Sequence, residues 1–165
     1  MARESRITAG MVGAIVGALV MDAVAVLWAG PWGNWAALKC PAFPWAMHEG
    51  FNLPVVIASQ LSHALVAITW GILFGLIFAG KKASTVLLAG PLWGLVVLVV
   101  MYYAVLPGFS MRGYVERSGL LYAVAIHLAY GVGLGAGAGG FLAHRRGAFH
   151  HRREAWARHA QPAEA

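Results

Sequence analysis

Residues 119–143 read GLLYAVAIHLAYGVGLGAGAGGFLA, and no Asp, Glu, Lys or Arg interrupts them. A run of this length crosses a bilayer as a helix, which takes ~20 predominantly apolar residues. Three other runs, 9–30, 54–79 and 85–106, have the same character, and Asp22 is the one charged residue in them. Four spans therefore organise the chain, and the expected fold is all-α: a polytopic membrane four-helix bundle. Composition agrees. The 165 residues are 60% hydrophobic and 11% charged, whereas a soluble domain carries about 25% charged residues. The expectation is one membrane domain over 9–143, a short N-terminal segment over 1–8, a basic tail over 144–165, and no separate soluble domain.

The formal charge of +6 raises the question of nucleic acid, but its distribution answers otherwise. Arg3 and Arg6 precede the first span and Lys81 and Lys82 separate the second from the third. Arg145, Arg146, Arg152, Arg153 and Arg158 follow the fourth. Nine of the twelve basic residues thus fall on one side of the membrane, with Lys39, Arg112 and Arg117 on the other. The positive-inside rule then places both termini and the 80–82 turn in the cytoplasm, as an even number of spans requires. The expected partner is the lipid bilayer and not nucleic acid. The tail, with His150, His151, Trp156 and His159 among its arginines, fits anionic lipid headgroups as well as a topology determinant. The first apolar run exceeds a signal-peptide core and carries Asp22, so no cleaved signal is expected. The single cysteine, Cys40, excludes an intrachain disulfide.

The connecting segments read as follows. A Trp- and Pro-rich outer loop runs from Pro31 to Trp45 and suits the headgroup level. Asn52 followed by Pro54 starts the second span, Ser84 is placed to cap the third, and Pro107-Gly108 stops it. An internal repeat is also visible. Gly71, Gly75 and Lys81-Lys82 follow His63 at 8, 12, 18 and 19 residues, and Gly135, Gly139 and Arg145-Arg146 follow His127 at the same offsets. Gly13-x-x-x-Gly17 corresponds to Gly90-x-x-x-Gly94. Two similar helical hairpins in one orientation are expected, related by a pseudo-twofold axis along the membrane normal. Gly131, Gly135 and Gly139 on one side of span four, and Gly133 and Gly137 on another, predict a helix packed on more than one face. Glycine on several faces also leaves surfaces for a second copy, so a homo-oligomer is expected.

The chemistry rests on Asp22, His63 and His127, each roughly 12–14 Å below the outer boundary at 1.5 Å per residue. Ionisable groups facing lipid cost ~2.5–3.5 kcal/mol on insertion scales, so all three are expected inside the bundle. Gln60 shares the His63 face and Tyr130 flanks His127. Four readings stay open. The set is structural glue, with Asp22 accepting from a histidine and Tyr130, Ser59, Ser62 or Gln60 satisfying the rest. His63 and His127 ligate a b-type haem from opposite sides. Asp22, His63 and His127 bind a divalent metal, with Cys40, Met47, His48 and Glu49 near the entrance. Or the carboxylate and imidazoles carry protons in coupled transport of a small solute or ion by an oligomer. Nucleophile arrangements for an enzyme are poor. Ser62 adjoins His63, but neighbours on a helix point ~100° apart, and Cys40 and His48 share a loop. The expected role is a non-enzymatic one, binding a ligand or stabilising a complex.

Several stretches together carry a resemblance: Gly17-Ala18-Leu19-Val20-Met21-Asp22-Ala23-Val24; His63 with Trp70-Gly71-x-x-x-Gly75; Gly94-Leu95-Val96-Val97 leading to Tyr102 and Leu106-Pro107-Gly108; and His127-Leu128-Ala129-Tyr130-Gly131-x-x-x-Gly135. Over about residues 9–143 the chain resembles the YagU-like bacterial four-helix membrane proteins, which are grouped among domains of unknown function. The resemblance implies a bacterial inner (plasma) membrane location and supplies no catalytic residues. The Trp/Pro/Cys outer loop and the His/Arg tail depart from that pattern.

Overall fold

The computed structural model describes residues 3–37, 52–105 and 119–159. Four long helices account for nearly all of them, and no strand occurs among the described residues. They are α1 (Arg3–Ala37), α2 (Leu53–Phe78), α3 (Ala83–Val100, continued by a π-helical turn over Met101–Val105) and α4 (Leu120–His159). Each contains a segment long and apolar enough to cross a membrane: Arg3–Trp28, Leu53–Phe78, Ala83–Val105 and Leu120–Gly147.

The helix ends follow from local chemistry. Asn52 is extended at the start of α2 and its side chain accepts from the Val55 amide at 3.2 Å, with Pro54 in the first turn where a missing N–H costs nothing. Ser84 does not cap α3. Lys82 takes the cap position in extended conformation, its carbonyl accepting from Val86 at 3.1 Å and no side chain capping the first turn. At the other extremes the helices outrun the expected spans. α1 begins at Arg3 and continues past Gly30 to Ala37, so part of the expected outer loop is helical. α4 continues through the basic segment to His159, a stretch of mostly good helix formers with no proline. Lys39, Cys40, Met47, His48, Glu49, Pro107-Gly108, Arg112, Glu116 and Arg117 lie outside the described residues.

α4 is the central helix. Of its spanning segment 44% is buried, against 22–28% for the others. It packs lengthwise against α1 on one side and α3 on the other, while α2 packs along α1 and approaches α3 at greater distance. Glycine explains the close seams. A Cβ at Gly17 would stand 2.7 Å from the Tyr130 carbonyl oxygen, and one at Gly133 2.7 Å from the Gly17 Cα, so the α1/α4 backbones nearly touch. Gly90 and Gly94 make the same kind of approach to Gly131 and His127 in the α3/α4 seam, and Gly10 to Gly71 in the α1/α2 seam. Pro91 deprives the Leu87 carbonyl of its helical donor, and that carbonyl lies over Gly135. The α2/α3 seam is filled by rings instead. Trp93 stands edge-on to Trp70 and Phe78 and packs on Phe74, and its indole N–H donates to the Trp70 carbonyl at 3.2 Å. The faces turned away from the bundle carry Leu19, Leu27, Leu65, Leu88 and Leu121, as acyl chains require.

Candidate functional site between the first two helices

Asp22 and His63 meet. Antiparallel packing of α1 on α2 sets Gly10 and Ala14 against Gly71, and two helical turns further out the same register brings His63 Nδ1 to 3.3 Å from Asp22 Oδ1. A carboxylate only accepts, so this contact is favourable with the proton on Nδ1, which leaves Nε2 as the other face of the ring. The pair is not sealed inside: its side chains remain 16% (His63) and 22% (Asp22) exposed. They line a half-open groove of about 150 Å³ between α1 and α2. Gln60 joins them; Ala14, Ala18, Ala64 and Ala67 form the floor, with Ile15 and Leu19 at the lipid side.

His127 lies at the same level but faces elsewhere. Asp22 falls between the Gly17–Tyr130 and Trp28–Tyr122 contacts of the α1/α4 seam, as does His127 on its own helix. The three residues thus lie at a similar level along the bundle. The ring of His127, however, is 6% exposed, donates from Nδ1 to the Ala123 carbonyl at 2.8 Å, and sits 5.7 Å from the Tyr102 ring in an edge-on arrangement. Among the described residues no three His, Cys, Asp or Glu are placed to hold a metal ion. The expected triad of Asp22, His63 and His127 is thus not assembled as a coordination shell. The reason is the seam geometry: His63 turns toward α1, while His127 turns toward α3. Tyr130 links α4 to α2: its hydroxyl donates to the Ala67 carbonyl at 2.8 Å, one turn along α2 from His63.

Tyr102 adds to the set, and Ser59 departs from its expected part in it. Tyr102 closes over His127 from the π-helical turn of α3; it extends the Gly90, Gly94, Leu98 series by one more step of four, the signal that marks it in the sequence. Ser59, fully buried on α2, has no hydrogen-bond partner at Oγ. The hydroxyls of Thr8, Ser62 and Thr69 donate to carbonyls four residues back; that of Ser59 does not. The chain matches no protein-family model, no curated protein and no solved structure.

Proposed function

We propose that this is a four-span inner-membrane protein of the YagU-like type, with both termini cytoplasmic, that binds the polar head of a hydrophobic molecule in the α1/α2 groove. One observation supports the reading: Asp22 and His63 touch yet stay partly exposed in a groove between two helices long and apolar enough to span a membrane. Leaving such groups accessible costs several kcal/mol in hydrocarbon, and a ligand that hydrogen-bonds to them recovers part of it. Size sets the ligand class. Sites for whole drug-sized molecules span ~300–1,000 Å³, so 150 Å³ takes a head with a few polar atoms while the body stays among acyl chains. The protein binds and does not catalyse. The two-hairpin reading draws support from the seams, since the Gly10 carbonyl lies against Gly71 and the Leu87 carbonyl against Gly135, equivalent positions in the repeat.

The test is native mass spectrometry of protein extracted into mild detergent. Wild-type protein should carry a small hydrophobic adduct that Asp22→Asn and His63→Ala each lose; equal adducts in all three remove the reading. A second reading, proton-coupled transport by a homo-oligomer, is favoured by the same contact, because a carboxylate touching an imidazole offers a proton two adjacent sites. Its check is proton uptake into proteoliposomes under an imposed gradient, abolished by Asp22→Asn.

A further inference from the structure

The opposite end of the bundle gathers cations from three places. Arg6 on α1 lays its guanidinium against Gly80, where a Cβ would stand 3.3 Å from an Nη. Gly80 leads into Lys81 and Lys82, and Arg146 on α4 reaches the same turn, donating from Nη2 to the Lys81 carbonyl at 3.1 Å. The cluster rests on a buried apolar floor of Ala9, Ala79 and Leu142.

Three features point to an anion. First, Arg6 Nε is buried without a hydrogen-bond partner. Second, the one ion pair among the described residues is Asp22–His63, so no described carboxylate pairs with these cations. Third, Lys82 opens an 18-residue helix whose first turn has no side-chain cap, and free amides at a helix start favour negative charge.

We propose that Arg6, Lys81, Lys82 and Arg146 form a binding site for the phosphate of an anionic phospholipid. The membrane boundary decides for a lipid over free phosphate: the 80–82 turn lies between the ends of two spanning segments, and exposed Ile77 and Leu88 offer flanking surface to acyl chains. The site is separate from the basic tail and does not depend on the groove at the other end.

The experiment places full-length protein in nanodiscs of phosphatidylcholine with or without phosphatidylglycerol. Lipids retained on release are read by native mass spectrometry, and the thermal midpoint is measured in parallel. Phosphatidylglycerol should be retained preferentially and raise the midpoint. Arg146→Gln, and separately Lys81→Gln, should weaken retention about fivefold per cation removed. Both side chains are exposed, so the fold should persist; Arg6→Lys, which keeps the charge, tests the packed position. Equal retention of the two lipids, unchanged retention in both glutamine variants, or an equal midpoint rise with inorganic phosphate alone would each overturn the proposal.

Discussion

At the scale of single residues, three polar arrangements should respond differently to substitution. Asp22 and His63 touch but keep partial exposure, so the 3–5 kcal/mol cost of breaking a buried pair must be discounted; about 1 kcal/mol is expected for Asp22→Asn or His63→Ala. The double variant should cost little more than either single one, and a double-variant cycle of thermal or denaturant unfolding in micelles measures this. Additive losses would mean that the contact carries no coupling. Tyr130→Phe removes a fully formed hydrogen bond between α4 and α2 and should cost about 0.5–1.5 kcal/mol without changing helix content. Ser59→Ala is the contrasting case. Its Oγ is buried with nothing to bond, so the alanine variant should be as stable as wild type or more so. A clear loss of stability would show that Ser59 has a partner that only the functioning protein supplies.

At the scale of elements, stability lies in the seams, and glycine position should sort variants cleanly. Gly17→Ala drives a methyl group into the backbone of α4, which cannot move aside as a side chain would; about 1–3 kcal/mol is expected. Gly140→Ala adds the same atom where nothing stands within 4 Å, and should be neutral or stabilising by up to about 1 kcal/mol. Unfolding midpoints of the two variants, side by side, make the comparison. The close approach at these seams was legible in the sequence, because Gly-x-x-x-Gly spacing and the absence of charge both follow from one requirement, backbone packing without a hydrophobic driving force. The shared level of Asp22 and His63 was legible too, since rise per residue sets it. The direction of the two histidines was not. His63 and His127 occupy equivalent repeat positions, but the first hairpin supplies Asp22 opposite its histidine and the second supplies Val99 at that position. His127 therefore turns to its own helix's carbonyl and to Tyr102. Spacing along one helix cannot reveal which neighbour offers the partner. Nor does a run of apolar residues mark where a helix stops once polar helix formers follow it, which is why α4 outlasts its expected end.

For the whole molecule, the unequal seams matter more than the repeat. Glycine closes α1 on α4, whereas Trp70, Trp93, Phe74 and Phe78 hold α2 and α3 apart at the equivalent place. An exact twofold would have made two identical grooves. The observed asymmetry leaves one ionisable pair partly exposed on α1/α2 and one histidine enclosed on α3/α4. This arrangement assigns different tasks to the two ends of the bundle only if the chain sits in the membrane with a defined sense. The cations at Arg6, Lys81, Lys82 and Arg146 cluster at one end, the polar groove lies toward the other, and the positive-inside rule predicts that the cationic end faces the cytoplasm. Two substitutions in a Cys40→Ser background test the sense directly. Lys81→Cys, in the turn between α2 and α3, should react with a membrane-impermeant maleimide only after spheroplasts are permeabilised. Leu120→Cys, exposed at the first residue of α4, should react in intact spheroplasts. The reverse pattern would invert the protein and place the groove in the cytoplasmic leaflet.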